Sequence, residues 1–512
     1  MLWSGAGDAG FGACYIILRT PRQLRRIRKV LGNAGRCECR GSSASEIFVF
    51  MNVLDVPLPA AGGQPLPTPE ESSIPEPPQP GKYWDWIFCL AIICGLAFLA
   101  YASVHDALFR SMWLSAEHHR WGKLLVRPSV LWVTMGFTLL VFRTVFWIRY
   151  RPFPAAAMAD APQVTVIIPA YNEGPMVMKS IQSVATALYP HERLEIFVVD
   201  DGSTDDTWTH IQRAAARYPQ MVTTFRQPKN MGKRAALAVG FERARGEVIV
   251  TLDSDSVIAP DALLAITGPF RDGKVGAVAG KVEVYNRRSG MIPRMLHVQY
   301  ILSFDLMRAV ESCYGTVYCC PGALTAYRTS VVRQALPAWM EQTFLGARCT
   351  FGEDRAMTNM VLAQGYDTVY QRTARVRTVV PENYSKMCKM FLRWDRSYVR
   401  EEINFMRIVW KRPLVPRVIA IWERITSNLR YPVNYISLIL LGTLSYTHPA
   451  MIPRLLLAIG TVALFNMIYY LRSERSKDFV YGVLYAYYSF FFMLWIFPYA
   501  VLTVRARGWL TR

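Results

Sequence analysis

A chain of 512 residues is too long for one ordinary domain and has room for a soluble domain together with several membrane spans. Hydrophobic residues make up 52% and charged residues 19%, and the mean hydropathy is +0.15, as expected when apolar spans are averaged with a soluble domain. The net charge is +20, and a cluster of basic residues lies between Lys386 and Arg417, just before C-terminal apolar segments. Such an excess of Lys and Arg is typical of the cytoplasmic side of membranes. We therefore expect a lipid bilayer, and no nucleic acid, as partner.

Residues 1–82 differ from the rest of the chain. A basic run from Arg19 to Lys29 is followed by a proline-rich stretch from Pro57 to Pro80. Such a composition buries too little apolar surface to fold, so we expect this region to be disordered. Met51 is an alternative start of the chain.

Apolar segments flank the polar centre of the chain and approach the length that crosses a bilayer, which takes about 20 helical residues. Two precede the centre, at Trp86 to Val104 and Val130 to Trp147, and three follow it, at Val433 to Tyr446, Ile452 to Leu471 and Phe479 to Val504. We expect two transmembrane helices in residues 83–150 and about three in 431–512, in the plasma or inner membrane. With two spans before the polar centre and three after it, the basic C-terminal tail would lie on the other side of the membrane from that centre. Basic residues are not expected on that side, so either one segment is re-entrant or the preference of basic residues for the cytoplasmic side does not hold here.

Between Val164 and Pro381, short β-branched strands alternate with helical stretches and predict an α/β domain at residues 160–381. Apolar strands that end in acids suggest a parallel sheet with a site at the strands' carboxyl ends. The ten cysteines form no zinc-like or disulfide pattern, which favours a cytosolic domain. Residues 382–430, with basic residues and Trp394, Trp410 and Trp422, are expected to form amphipathic helices at the membrane surface.

A pair of acids ends the strand EVIVTL. Asp253 and Asp255 flank Ser254 there, and carboxylates are costly to bury unless a positive charge compensates them. Mg²⁺ or Mn²⁺ bridging to diphosphate oxygens would compensate them, because these hard ions bind a few carboxylates together with phosphate and water. The alternative is a solvated turn at the strand end.

Polar residues also follow the two earlier strands and open the next helix. Tyr171 and Glu173 follow the first strand and Asp201 follows the second, where a carboxylate can accept hydrogen bonds from a uracil or ribose. Lys233, in NMGKR, brings a cation to a helix start where a diphosphate could bind. Each feature alone is also typical of ordinary turns, caps and surfaces, so only their combination favours a nucleotide-sugar site.

Two later motifs supply groups for transfer. In FGEDR, Glu353 and Asp354 precede a helical stretch, and an acid there could act as the general base for an acceptor hydroxyl that attacks the anomeric carbon. Locally, both acids are also favourable first-turn helix residues. Arg393 could hold a phosphate and Trp394 offers a flat face for a pyranose ring, although both also suit membrane anchoring.

Together AYNE, VVDDGSTD, NMGKR, DSDS, FGEDR and RW resemble the processive membrane glycosyltransferases of family 2, from about Val164 to Glu401. The segments FLGARCTFGEDRAMTN and RWDRSYVRE look most similar to those of hyaluronan synthases, with chitooligosaccharide synthases next. The resemblance implies a GT-A-like domain inserted between transmembrane helices, UDP-sugar donors, inversion at the anomeric carbon and export of a growing polysaccharide chain through the spans.

The resemblance also assigns roles to individual residues. It implies Asp354 as the base, Asp201 against the uridine, and Asp253 with Asp255 as metal ligands. The residues implied at the donor are Tyr171, Glu173, Asp201, Lys233, Asp253, Arg393 and Trp394. The residues implied at the acceptor are Cys319, Gly322 and Trp394.

Two residues depart from the family pattern. Met390 stands where the family has Gln three residues before the Arg of RW, and Pro321 stiffens a segment expected to line the acceptor site. The expected function is a processive, metal-dependent, inverting synthase, hyaluronan-like and using UDP-N-acetylglucosamine and UDP-glucuronate. The alternatives are a synthase of β-linked N-acetylglucosamine polymers or oligomers, and a membrane scaffold that has lost turnover.

Overall fold

The computed structural model describes residues 123–447, 449 and 451–506, three strands nearer the N-terminus, and single helical residues at positions 94, 114 and 118. The N-terminal unit, Met1–Glu71, contains β1 (Cys14–Leu18), β2 (Glu38–Arg40) and β3 (Ile47–Met51), paired antiparallel in the order β1-β3-β2. The rest of the region predicted to be disordered, and the span predicted at Trp86 to Val104 apart from Cys94, lie outside the described residues.

The second unit, Ser72–Arg512, is built on an eight-stranded sheet of order β6-β5-β4-β7-β10-β9-β13-β8. In chain order its strands are β4 (Val164–Ala170), β5 (Leu194–Asp200), β6 (Val222–Arg226), β7 (Val248–Leu252), β8 (Ser256–Ile258), β9 (Val275–Val284), β10 (Leu324–Arg328) and β13 (Asp367–Thr378). A separate hairpin joins β11 (Thr343–Phe344) to β12 (Ala347–Arg348).

The parallel sheet that the sequence suggested is only partly correct. Strands β6, β5, β4 and β7 are parallel, but β10 runs antiparallel to both its neighbours, and β8 runs antiparallel to β13. Every residue of β4 is buried, and interior strands of either direction share this continuous apolar pattern. The pattern therefore predicts burial on both faces but cannot assign strand direction.

Helices pack on both faces of the sheet. In chain order, the described helices of this unit are α1 (Lys123–Arg149), α2 (Met176–Ala185), α3 (Thr207–Arg217), α4 (Lys233–Arg243), α5 (Ala262–Thr267), α6 (Met291–Tyr300), α7 (Met307–Ser312), α8 (Thr329–Met340), α9 (Glu353–Ala363), α10 (Tyr384–Ile408), α11 (Leu414–Thr447), α12 (Met451–Glu474), α13 (Phe479–Phe492) and α14 (Ile496–Leu502). A π-helical segment, Ile301–Leu306, joins α6 to α7. The helix starts predicted at NMGKR and FGEDR are confirmed, because α4 begins at Lys233 and α9 at Glu353.

Two apolar cores lie on opposite faces of the sheet. Val166 and Ile168 of β4 belong to one core, and Ile167 between them belongs to the other, as the alternation of side chains along a strand requires. The first core also contains Met387 of α10 and Ile496 of α14. The helix that carries the RW motif is thus packed against the α/β domain.

In the part of the chain that the structure describes, one segment, Leu455–Glu474 in α12, is long and apolar enough to cross a membrane, with a mean hydropathy of 1.6. Helices α13 and α14 form a further apolar pair that is bent by 51° at its break, as in a broken span or a re-entrant segment. Lys281 of β9 donates to Glu474 at 2.9 Å, so the end of α12 is held against the domain. The predicted number of spans stays a prediction.

Candidate active site

Two cavities meet at the carboxyl ends of β4, β5 and β7, the edge that the strand-end acids predicted. The larger, of about 540 Å³, is bordered by residues that follow these strands: Tyr171, Glu173, Asp201, Asp253 and Asp255. The smaller has a volume of about 200 Å³, and Cys319, Gly322, Asp354 and Trp394 border it. The wall between them is formed by residues that border both: Lys233, Asp253, Asp255, Val379, Met390 and Arg393.

The acids predicted to converge therefore do so. Asp255 follows β7, and Asp354 lies in the first turn of α9, about a hundred residues later in the chain. Both residues border the smaller cavity. Trp394 was predicted to contact both substrates, but in the structure it borders the smaller cavity and not the larger. This placement associates Trp394 with an acceptor rather than a donor.

Lys233 links the two acidic motifs. Its ammonium forms an ion pair with Asp253 and lies 3.3 Å from Oε1 of Glu353. Burial alone would lower the pKa of Lys233, but the carboxylates of Asp253 and Glu353 outweigh it and hold the pKa above its usual value. A Cβ at Gly322 would lie 2.8 Å from Lys233 Nζ, so the chain before β10 also approaches this ammonium closely.

The aspartates after β7 offer a small oxygen donor set. Oδ1 of Asp255 accepts hydrogen bonds from the hydroxyls of Ser256 and Thr378, both at 3.1 Å, which orients the carboxylate. Among the described residues, no group of three or more His, Cys, Asp or Glu side chains is arranged to hold a metal ion. The pair fits an ion such as Mg²⁺, which is commonly held by one or two carboxylates together with substrate phosphates.

Asp354 lies in an environment that raises the pKa of its carboxyl group. The causes are burial and the adjacent charge of Glu353, only partly offset by Arg355 and Lys233. Glu353 is also buried, but Lys233 and nearby arginines hold its pKa below the usual value. The two neighbouring acids are thus pushed in opposite directions, an arrangement that distinguishes a proton acceptor from a permanent charge.

Hydrogen bonds around Asp354 fix its position. Oδ1 accepts the backbone N–H of Arg355 at 2.8 Å, and the thiol of Cys319 lies 3.7 Å from Oδ2. Burial raises the pKa of Cys319 to about 12, with Asp354 acting in the same direction, so the thiol stays protonated and donates. Oδ2 is thereby aimed at the smaller cavity beside a neutral donor.

Asp201 has a contact that the sequence did not reveal. Its two oxygens accept the backbone N–H groups of Met231 at 2.7 Å and Gly232 at 2.9 Å, and Gly232 has φ +92°. Burial raises the pKa of Asp201 against the lowering effect of these hydrogen bonds. This carboxylate therefore shapes the NMGKR loop that presents Lys233, in addition to bordering the larger cavity.

Aromatic side chains surround Trp394. Its ring centroid lies 5.4 Å from that of Phe391, 6.0 Å from Tyr300 and 6.1 Å from Phe304. Tyr300 and Phe304 flank the start of the π-helical segment, a distortion often found at functional sites. The hydroxyl of Tyr300 donates to Sδ of Met390 at 3.7 Å, so the residue that departs from the family pattern provides only a weak acceptor there.

A buried ion pair within α10 links this helix to α9 and to the segment before it through hydrogen bonds. Arg400 of α10 donates to the carbonyl of Phe351 and to Glu401, and Glu401 accepts from Asn359 of α9 and from Gln342. These contacts fix FGEDR relative to RW. Both charged residues stood in the motif RWDRSYVRE, but a sequence pattern does not distinguish a structural pair from a solvated one.

We expect Glu401→Gln to lower the free energy of unfolding by about 3–5 kcal/mol, because it leaves the buried Arg400 charge uncompensated. Denaturant unfolding of the purified protein measures this. The exposed Glu341→Gln provides the control and should change stability by less than about 0.5 kcal/mol. Equal stability of the two variants would contradict the structural role of the Arg400–Glu401 ion pair.

The structure thus gathers every residue singled out from the sequence around the two cavities and adds others. Glu353, which the sequence offered as a first-turn helix acid or a possible general base, pairs with Lys233, and Tyr300 and Arg308 border the smaller cavity. The motif FGEDR contains Glu353 but does not indicate this pairing. Tyr300 and Arg308 lie on an amphipathic stretch, and the sequence gives no local signal for them.

Comparisons with known proteins agree with this geometry. The family described as Glycosyl transferase family 2 matches residues 165–336. The chain is 31% identical over 386 residues to a hyaluronan synthase of Streptococcus pyogenes, covering 73% of this chain and 88% of that protein. It is 31% identical over 353 residues to an N-acetylglucosaminyltransferase of Rhizobium leguminosarum bv. viciae, covering 69% of this chain and 82% of that protein.

Among solved structures, a mannosyltransferase of Pyrobaculum calidifontis in complex with GDP-Man and Mn²⁺ has 21% identity and a TM-score of 0.49, covering 71% of this chain and 98% of that chain. The mixed sheet, the aspartates after β7 and the paired cavities define an enzyme with a GT-A-like fold. The match of the family over residues 165–336 and the similar full-length relatives show that the chain belongs to glycosyltransferase family 2.

Proposed function

We propose that this glycosyltransferase is a processive, inverting synthase that extends a polysaccharide from UDP-sugars, with hyaluronan as the product. The observation that carries the proposal is the pair of cavities that share Asp253, Asp255, Lys233 and Arg393 as a common wall. A donor in the larger cavity and a chain end in the smaller would meet at this wall. The similarity to a hyaluronan synthase supports the choice of product.

The larger cavity suits a nucleoside diphosphate. Tyr171 and Asp201 border the part that follows β4 and β5, and we assign the base and ribose to it. Lys233 and Arg393 supply positive charge for the diphosphate, because both border the cavity beside the aspartates. Glu173 accepts from Ser254 at 3.0 Å and so braces the DSD turn between the two sites.

Asp253 and Asp255 are the residues that would hold Mg²⁺ or Mn²⁺. When bound, such an ion would neutralise charge that develops on the departing diphosphate.

In the smaller cavity Asp354 acts as the general base. Its Oδ2, beside the Cys319 thiol, takes the proton of the acceptor hydroxyl as the hydroxyl oxygen attacks the anomeric carbon. The bond between that carbon and the diphosphate oxygen breaks on the opposite face, so a single displacement inverts the anomeric configuration. Trp394 and Gly322 form the acceptor surface, where the aromatic face packs against a sugar ring.

The second candidate product is a β-linked N-acetylglucosamine polymer or oligomer. The N-acetylglucosaminyltransferase relative, with 31% identity, favours it, since that protein is as similar as the hyaluronan synthase. The thioether of Met390 at the wall between the cavities also separates this chain from the family pattern. Donor choice therefore distinguishes the two candidates.

The donor requirement tests the proposal. Membranes that contain the protein are incubated with UDP-N-acetylglucosamine alone and then with UDP-glucuronate added, and polymer mass and UDP release are measured. A polymer that requires both donors supports hyaluronan synthesis, whereas a product from UDP-N-acetylglucosamine alone supports the second candidate. No UDP release from either mixture would overturn the proposed function.

The proposed location is the plasma or inner membrane, with the catalytic domain in the cytosol. Helix α12 and the bent pair α13–α14 are the described segments that could enter the bilayer. A cytosolic site has direct access to UDP-sugars. Protease treatment of sealed membrane vesicles checks this orientation. The catalytic domain should be cleaved only in vesicles that expose the cytosolic side of the membrane to the protease.

Met390→Gln should lower the donor KM by up to about tenfold, because Met390 borders the larger cavity, where a Gln amide can hydrogen-bond to the donor, and a neutral hydrogen bond contributes about 0.5–1.5 kcal/mol. Initial rates at varied UDP-sugar concentration measure this. Met390→Leu, which keeps the volume without a polar atom, provides the matched control and should not lower KM. An equal KM in both variants would contradict the role of this contact.

A further inference from the structure

Lys233 occupies an unusual position, because its ammonium pairs with one of the carboxylates assigned to the metal. It contacts Asp253 directly and lies 3.3 Å from Glu353, so one cation pairs with acids from two distant motifs. The Lys233 side chain is only 20% exposed, and that of Glu353 is 8% exposed. The protein itself therefore places one positive charge between these two carboxylates.

A divalent cation at Asp253 would lie within a few ångströms of this ammonium. Like charges at that distance in a partly buried site repel strongly, since the effective dielectric is far below that of water. A carboxylate that binds Lys233 is thus a poorer ligand for an added cation than the same carboxylate alone. Glycine at position 322 makes room for the ammonium, because a Cβ there would lie 2.8 Å from Nζ.

The donor diphosphate offers Lys233 another partner. The larger cavity is bordered by Lys233 itself, and the four-carbon stem of lysine lets its ammonium move between partners. Movement of the ammonium toward the diphosphate would relieve the repulsion at Asp253. Binding of nucleotide and of metal would then be coupled, and by linkage the coupling is the same in both directions.

We propose that Lys233 is the resting counter-ion of the metal site: in the unliganded enzyme it pairs with Asp253 and Glu353 and opposes binding of a divalent cation, and the donor diphosphate draws it away. This inference rests on the proposed function, since it assigns the larger cavity to a UDP-sugar. It gives Lys233 effects of opposite sign on the two ligands. The lysine weakens metal binding to the empty site and strengthens nucleotide binding.

The test measures binding rather than turnover. Free Mn²⁺ is followed by electron paramagnetic resonance as it is titrated into the full-length protein in detergent, without and with UDP. Lys233→Gln is expected to lower the Kd for Mn²⁺ in the absence of UDP by tenfold or more, and to raise the Kd for UDP. The gain in Mn²⁺ affinity on adding UDP should be smaller in the variant than in the unaltered protein.

Two substitutions serve as controls. Lys229→Gln removes an exposed lysine from the same loop and should leave both Kd values unchanged, which excludes a general effect of net charge. Lys233→Arg keeps the cation and should keep the weak Mn²⁺ binding. If Lys233→Gln does not fold, Gly322→Ala crowds the ammonium away from Asp253 and is expected to lower the Kd for Mn²⁺ in the same direction.

The results separate this inference from the proposed function. Absence of UDP binding by the unaltered protein would overturn the proposed function. A second outcome is that UDP binds, but the Lys233→Gln variant binds Mn²⁺ no more tightly than the unaltered protein does. The counter-ion role is then wrong, while the proposed function stands. Gly322→Ala is judged in the same way if it replaces Lys233→Gln. Tighter binding of Mn²⁺ together with weaker binding of UDP supports the role.

Discussion

Asp354→Asn is expected to reduce sugar transfer by about 10²–10⁴-fold while leaving the affinity for UDP close to that of the unaltered protein. The amide is isosteric and keeps the volume of the side chain, but it cannot take a proton from the acceptor hydroxyl. Asp354 borders the smaller cavity and not the larger, so a nucleotide should not sense the change. UDP release measures the rate, and calorimetric titration measures UDP binding.

A matched substitution and the pH profile make this prediction specific. Asp272→Asn, at an exposed residue before β9, should retain full activity. Because burial and Glu353 raise the pKa of Asp354, the rate should fall with decreasing pH at values above the usual range of an aspartate. Glu353→Gln removes the neighbouring charge and should move this acid limb to lower pH. Full activity of Asp354→Asn, or an acid limb that does not move, would contradict the assignment of the base.

Gly352→Ala is expected to lower the free energy of unfolding by about 2–5 kcal/mol and to abolish most activity. Gly352 precedes α9 with φ +74°, where an L side chain is strained. Its Cβ would also lie 2.4 Å from Cβ of Ser397 and 2.7 Å from Nη2 of Arg400. Relief of this overlap would move the start of α9, and with it Glu353 and Asp354, away from the RW helix.

The chain contains a matched control for this effect. Gly346 has the same φ of +74°, but no atom of the described neighbouring residues lies within 4 Å of the position that an alanine methyl group would take, so Gly346→Ala should cost only the backbone strain of about 1–2 kcal/mol. Denaturant unfolding and UDP release on both variants measure the difference. Equal losses would mean that the contact of Gly352 with α10 does not position the base.

Part of the site followed from the sequence because the relevant signals are local. An apolar strand that stops at Asp253 places this acid at a strand end, and the helix starts at Lys233 and Glu353 follow from glycines and loop residues just before them. These signals depend on neighbours within a few residues. They predicted which edge of the sheet carries the chemistry.

Local sequence signals do not predict contacts between residues that are far apart in the chain. The short strand β10, with the sequence LTAYR, carries no signal for its direction, and its antiparallel pairing with β7 and β9 depends on the path of the chain between these strands. The packing of Trp394 against Tyr300 likewise depends on how α10 packs on the domain, since Trp beside Arg also suits a membrane surface.

The sequence by itself determined the strand ends, the helix starts and the resemblance to family 2, because each depends on residues close together in the chain. Only the tertiary structure decided that Lys233 pairs with both Asp253 and Glu353, that Asp354 lies across a shared wall from the larger cavity, and that α14 packs beside α10. The physical reason is that charge pairing and side-chain packing depend on distances in space, and residues about a hundred positions apart leave no periodic pattern that records their contact.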